Sequence, residues 1–424
     1  MKWDLTYLFE TEQEFLASLE KLKGYVEKLA SYRGKLSDEE SLVEYLTISR
    51  DFEEAFGRTY QYASLKSDLN KKDIQAASNL NNCIMIIYGY SEACSFQDPE
   101  ILDLGKEKVM DIIDRHPEIE EFRFMCTKLF DQNAHVLDSK SEQLLSYYSP
   151  LTSAGSEMYS SLAVADGKGE KITLSNGTEV VVTGGNYRAL IQDAETVEDR
   201  KAIFEAVYKV YDAHKNTFAN IYKTVLDADK ATYKARNYSS SLEAHLDRNN
   251  IPTSVYHTLV EVAGNYNESL KKYLKLRKEV LGLDAYHTYD RFLTLAKSDK
   301  KYSYETSKQL FFEAISWLPK DFREKAEEVL RDGFVDVFES EGKRTGAYSS
   351  SMANLHPFIL LNHDETLDSA FTVAHEAGHS IHSMYAAEAQ PTMLQDYTIF
   401  VAEIASTFNE HALLDYFLGS TDAT

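Results

Sequence analysis

The sequence predicts a mainly α-helical protein, and three observations carry that reading. Only seven of its 424 residues are proline, so few positions forbid a helix, and Leu, Ala, Glu and Lys, which lose little side-chain freedom in one, abound. Apolar residues recur every three or four positions behind side chains able to cap a helix. Strand-like alternation is confined to a few short stretches.

Thr11-x-x-Glu14 reads as a capping box, and Phe15, Leu19, Leu22, Val26 and Leu29 then trace one face of a helix ending near Gly34. Ser37-x-x-Glu40 opens a second helix, carrying Leu42, Tyr45, Leu46, Phe52 and Phe56 into a stretch with Tyr60 and Tyr62. The short link between them predicts an antiparallel helical hairpin. Helical patterning continues to about residue 150, with breaks expected where Asp98-Pro99 and His116-Pro117 force extended backbone. His116 and His135 read as capping or surface groups. Residues 171–182 hold two strand-like runs around Asn176-Gly177, which predicts a hairpin with a two-residue loop. Gly167, Gly169, Gly184 and Gly185 flank it, but no G-K-[ST] follows and no βαβ unit surrounds them, so a nucleotide site is set aside. Long helices are expected over residues 195–230 and 254–280. Beyond them, residues 333–338 and 356–362 read as short strands, with a glycine-bounded loop at 342–349 between.

Charge narrows the partners. Lys and Arg total 45 against 68 Asp and Glu, a net charge of −23, which repels phosphate backbones and anionic lipid, so neither nucleic acid nor a membrane surface is expected. The mixed Lys, Arg and Tyr of residues 222–236 then read as a solvated helix face. Cys83, Cys94 and Cys126 have no C-x-x-C spacing and read as reduced thiols of a cytoplasmic protein. No apolar run suits a signal peptide or a membrane-spanning helix.

The chemistry concentrates in Ala374-His375-Glu376-Ala377-Gly378-His379. Leu367, Phe371, Ala374, Ala377, Ile381 and Tyr385 put this H-E-x-x-H pattern on an amphipathic helix starting near Thr366, with Asp364 and Glu365 suited to its N-terminal dipole. Residues four apart share a face, so His375 and His379 can point both imidazoles at one ion. Glu376 cannot join them, but it can reach a water on the ion's open side, the place of a zinc peptidase's general base. The pattern arises by chance in roughly three chains in a hundred with this many histidines, so it needs a third ligand and a place for substrate. Six of the twelve histidines do lie from His356 onward.

His382 is a tempting extra ligand, but three ligands from one helix rarely reach tetrahedral geometry. It reads instead as packing or as support for a ligand. The pattern H-E-x-x-H-x-x-G-x-x-H fails, with His382 at its glycine and Tyr385 at its last histidine. The third ligand is expected from the next helix, marked by Ile399, Val401, Ile404, Phe408 and Leu413. Glu388 would have to curl back from the motif helix, whereas Glu403 and Glu410 share a face seven residues apart, and spacing leaves these two in competition.

These stretches resemble the oligoendopeptidase F family, the bacterial relatives of thimet oligopeptidase. The likeness rests on Val373-Ala374-His375-Glu376-Ala377-Gly378-His379-Ser380-Ile381-His382-Ser383 and on Ile399-Phe400-Val401-Ala402-Glu403-Ile404-Ala405-Ser406-Thr407-Phe408-Asn409-Glu410, with residues 342–349, 357–362, 3–5 and 32–36 in support. It implies one zinc ion held by His375, His379 and Glu403, with Glu376 as base and proton shuttle and Glu410 orienting a ligand histidine. It implies a two-lobed helical gluzincin body, similar to neurolysin, with a deep channel that admits short peptides, and a small hairpin and a short sheet beside the site. Gly346, Ala347, Tyr348, His356 and Phe358 would then line the substrate, and the strand at 356–362 would pair with its backbone. The chain divides accordingly into an N-terminal helical region (1–110), an oligopeptidase-F-type region with the hairpin (111–200) and a catalytic domain (201–424).

Members of that family continue well beyond the glutamate helix, into a helical region that supplies a His and a Tyr to the transition state. Only 45 residues follow His379 here (424 − 379). The expectation is a fragment of a longer protein, a second piece that completes it, or a natural truncation. Two other readings stand beside the endopeptidase: a catalytically silent, zinc-stabilised peptide-binding body, and a related peptidyl carboxypeptidase.

Overall fold

Several helices begin where short polar side chains can take up a first-turn N–H, in a computed structural model that describes residues 2–296 and 300–419. Thr11 Oγ1 accepts from the Glu14 N–H at 3.2 Å and opens Glu12–Ala30, which buries Phe15, Leu19, Leu22 and Leu29. Its partner Glu39–Leu69 is capped by Asp38, whose carboxylate accepts from the Ser41 N–H at 3.0 Å, one residue later than the Ser37 cap the sequence suggests. The ionised acceptor makes the stronger bond. Asp98-Pro99 breaks nothing: Pro99 sits in the first turn of Gln97–Leu104, where a missing N–H costs no intrahelical bond. His116 is extended before Pro117, with φ −123° and ψ 80°.

The fold is mainly helical, with one two-stranded and one three-stranded sheet among the described residues. Two compact units form, Met1–Tyr147 with Lys300–Thr424, and Tyr148–Asp299. They cut across the three consecutive stretches read from sequence.

In the first unit the sheet lies between two apolar cores. Its order is Val335–Asp336, Phe358–Leu360, Tyr348–Ser350, the first pair parallel and the second antiparallel. Side chains alternate across a strand, so Phe358 and Leu360 enter one core with Trp3, Phe15 and Phe52, while Ile359 and Leu361 enter the other with Val373, Ala377 and Ile381. Burial on both faces explains the unbroken apolar run at 358–361. Trp3 Nε1 donates to Ile359 O at 2.8 Å and Phe334 O at 3.2 Å, which ties the start of the chain to the middle of this sheet.

In the second unit Glu170–Thr173 pairs antiparallel with Glu179–Val182. The loop has three residues rather than two. Leu174 N donates to Thr178 O and Gly177 N to Leu174 O, both at 2.9 Å, and Gly177 alone in the loop has positive φ (84°). Asp199 decides this by accepting from the Ser175 N–H at 2.7 Å and hydroxyl at 2.5 Å, which fixes Ser175 as the first loop residue. Both long helices expected here are broken. The first splits at His214 into Val197–Ala213 and Lys215–Ala235. The second splits at Tyr266-Asn267 into Thr253–Asn265 and Glu268–Val280, where Asn267 Nδ2 donates to Gly264 O at 3.0 Å and ends the first piece. A buried Arg200–Asp290 pair at 3.0 Å closes this unit's core beside Ile191, Ile203 and Tyr289.

Among the described residues no helix is long and apolar enough to cross a membrane. The three cysteines are free and buried, and burial raises their thiols, Cys83 to about 12 and Cys94 and Cys126 to about 11.

Candidate metal centre

Two helices of the first unit build the site. The motif helix, Leu367–Ala389, is capped by Thr366 Oγ1 on the Ser369 N–H at 3.2 Å. Asp364 braces that cap, accepting the Thr366 and Ser369 hydroxyls at 2.6 Å each. The helix turns Ala370, Val373, Ala374, Ala377 and Ile381 inward. The glutamate helix, Ile399–Gly419, answers with Ala402, Ser406, Asn409 and Leu413. They touch at Gly378, where a Cβ would stand 2.7 Å from Ala405 O and 2.8 Å from Ser406 Cα. Only glycine admits that approach.

This crossing brings His375, His379 and Glu403 together. His375 Nε2 and His379 Nε2 are 3.1 Å apart, and Glu403 Oε2 lies 3.4 Å from the first and 3.3 Å from the second. Ligand atoms about 2.0–2.1 Å from a zinc ion at tetrahedral angles stand about 3.3–3.4 Å from each other. The donor chemistry fits as well. Glu410 Oε1 lies 2.5 Å from His375 Nδ1, so that nitrogen carries the proton and Nε2 presents a bare lone pair. Burial chiefly lowers the pKa of His379, which favours the neutral ring. Glu403 is held below the usual carboxylate range, first by the hydroxyl of Ser406, which donates to Oε2 at 2.6 Å. Three lone-pair donors thus converge on one point, a set that fits a cation such as zinc.

Glu376 sits beside the triangle, 6% exposed, with Oε2 buried and unpartnered. Burial raises its carboxyl to about 7; the neighbouring His375 opposes, Glu403 adds, and a hydrogen bond from the Ser349 backbone opposes again. His382 does not join the triangle; its ring stacks on Tyr397 with centroids 4.0 Å apart.

The residues expected to line substrate separate from one another. Phe358 is fully buried in the core, Tyr348 donates its hydroxyl to the buried Asp68 at 2.7 Å, and His356 lies against Phe334 with centroids 3.6 Å apart. Gly346 has φ 85° and its carbonyl accepts from Asn362 Nδ2 at 2.8 Å, while Ala347 packs on the second core. The expectation that the strand at 356–362 pairs with a substrate backbone fails, because Phe358–Leu360 is the central strand and both its sides are occupied. Tyr348–Ser350 is the edge strand. Ile359 N–H is taken by Phe334 O at 2.8 Å, so Phe358 and Leu360 bond Tyr348 and Ser350, and the backbone of Ser349 faces outward. Ser349 Oγ also meets Ser380 Oγ of the motif helix at 2.8 Å, and Ser380 in turn donates to Glu376 O at 3.0 Å. Sequence reasoning missed Ser349, Ser380, Ser406 and Asp68; only the position of Ser406, three residues after Glu403, is a signal that spacing could have offered.

Comparison with known proteins follows the same lines. Residues 190–421 match the family model described as Peptidase family M3, and residues 100–168 the one described as Oligopeptidase F. Oligopeptidase PepF of Bacillus subtilis (strain 168) is 34% identical over 99% of this chain and 63% of its own length. An oligoendopeptidase F homolog of Lactococcus lactis subsp. lactis is 31% identical, covering 99% of this chain and 70% of its own. The crystal structure of oligoendopeptidase-F from Enterococcus faecium superposes with a TM-score of 0.71 at 28% identity, over 97% of this chain and 68% of that one. The chain therefore spans roughly two thirds of the length of these relatives.

Proposed function

The chain belongs to peptidase family M3, and from that premise we propose that it is a zinc-dependent endopeptidase of short peptides. The observation that carries the proposal is the triangle of His375, His379 and Glu403 with the buried carboxyl of Glu376 beside it, whose Oε2 has no hydrogen-bond partner among the described residues. Those three residues would hold the ion, and Glu410 would fix the tautomer of His375. When bound, zinc supplies Lewis acidity that acidifies water and polarises the scissile carbonyl. Glu376 takes a proton from the attacking water and passes it to the leaving nitrogen as the C–N bond breaks, so no covalent enzyme intermediate is needed. Burial, which raises this carboxyl above the ordinary carboxylate value, suits a group that must first take a proton and then give it up. The outward backbone of the Tyr348–Ser350 edge is the part of the sheet able to pair with an extended peptide. The buried thiols suit a reducing compartment, the cytoplasm.

The test is twofold. Purified protein should hold one zinc per chain, and Glu376→Gln should lower kcat on a quenched short peptide by about 10²–10⁴ while zinc content stays at one. Wild-type turnover in Glu376→Gln would refute the role of the base. A second reading is a peptide-binding body that holds zinc without turnover. Chelator-insensitive fluorescence together with measurable peptide affinity would select it. Cleavage of substrates blocked at their C-terminus separates the endopeptidase from a peptidyl carboxypeptidase.

A further inference from the structure

We infer that Ser406 is the positioning residue for the glutamate that completes the metal triangle: its hydroxyl, fixed where two helices cross, holds the Glu403 carboxylate in its ligating orientation. This rests on the zinc reading above and deepens it.

Glu403 differs from the other two members of the triangle. Its side chain is 60% exposed, against 27% for His375 and 17% for His379. A glutamate that open has several rotamers to lose before it can serve as a ligand. The histidines are held by the packing of the motif helix, and His375 also by Glu410. Among the described residues, the hydrogen bond that reaches the Glu403 carboxylate from outside the triangle comes from Ser406. It falls on Oε2, the same oxygen that faces both histidines. An ionised carboxylate only accepts, so Ser406 is the donor.

Ser406 is itself fully buried and cannot wander. Its Cα lies 2.8 Å from where a Cβ on Gly378 would stand, so Ser406 sits where the two helices touch. The hydroxyl is therefore held at a fixed point of the crossing, within reach of the Glu403 carboxylate. The competing arrangement is the ordinary back-bond of a helical serine: Ser406 Oγ is also 3.2 Å from Glu403 O. That arrangement would leave metal affinity untouched.

Zinc affinity of the 424-residue chain, measured by competition with a chromophoric chelator, tests this across wild type, Ser406→Ala, Glu403→Ala and the double variant. Ser406→Ala should weaken zinc about 10- to 100-fold, the usual effect of removing a ligand's hydrogen-bond support. In the Glu403→Ala background the same change should add less than about twofold, because the hydroxyl has nothing left to hold. Equal affinity in wild type and Ser406→Ala overturns the proposal. An equal loss in both backgrounds also overturns it, since the hydroxyl would then act on the fold. If Ser406→Ala lowers the metal-free melting temperature, both arms carry that defect and the comparison still decides. A wild-type chain that binds no zinc overturns the metal reading and this inference together, so the two failures are distinguishable.

Discussion

Glu410 Oε1 stands 2.5 Å from His375 Nδ1, a contact that decides which nitrogen of the ring is left to bind metal. Replacing Glu410 by Gln keeps a carbonyl acceptor for Nδ1 but removes the carboxylate. Zinc affinity should fall about 10- to 100-fold, read by chelator competition; an unchanged affinity would detach Glu410 from the site. His356 is a residue of the opposite kind, a buried imidazole with a structural role. Nδ1 donates to Pro357 O at 2.6 Å, Nε2 is buried without a hydrogen-bond partner, and burial lowers its pKa against the pull of Pro357 and Glu328. A depressed folded pKa means that the unfolded chain binds the proton more tightly. The contribution to stability is therefore whole above about pH 6.5 and lost as pH falls through that value toward the folded pKa, at up to about 1.4 kcal/mol per pH unit. His356→Phe keeps a ring against Phe334 without titrating, so its unfolding free energy should decline less than that of wild type below about pH 6.5. Parallel declines in urea titrations would remove His356 as a cause.

At the scale of elements, the site is a helix crossing more than a sequence motif. Gly378→Ala puts a methyl group 2.7 Å from Ala405 O, a backbone atom that cannot swing aside, so the helices must part. Overpacking of this kind costs about 1–3 kcal/mol, and it should weaken zinc binding too, because Glu403 and the histidine pair ride on different helices. A variant with wild-type urea midpoint and zinc affinity would show that the crossing has slack. This contact explains what the sequence could and could not reveal. The four-residue spacing of His375 and His379, the Thr366 start and the shared face of Glu403 and Glu410 are local to single helices, and periodicity displays them. Choosing Glu403 over Glu410 depends on how one helix lies across another, and only a family likeness supplied that choice. The central position of Phe358–Leu360 depends on partners at 335 and 348, and the three-residue loop at 175–177 on the Asp199 carboxylate. The breaks at His214 and Asn267 escaped because an apolar repeat can run on through a one- or two-residue interruption.

At the scale of the whole molecule, an ion at the helix crossing would place part of the stability in one unit. His375, His379 and Glu403 lie on two helices of the first unit, and that unit is stitched from distant parts of the chain, as the Trp3 bond to Ile359 O at 2.8 Å shows. With no cation, the side chains of Glu376, Glu403 and Glu410 crowd the two imidazoles at the helix crossing, and a bound cation would tie the two helices together. Binding that is selective for the folded state contributes RT ln(1 + [L]/Kd), about 4 kcal/mol at a thousandfold excess over Kd. Chelation should therefore lower the melting temperature by roughly five to seven degrees. It should also speed amide exchange in Leu367–Ala389 and Ile399–Gly419. The helix Val197–Ala213, which belongs to the other unit and its separate core, should exchange at the same rate with and without metal. No thermal shift would argue against a resident ion, and exchange that rises equally in both units would argue against a metal whose stabilisation is local to the helix crossing.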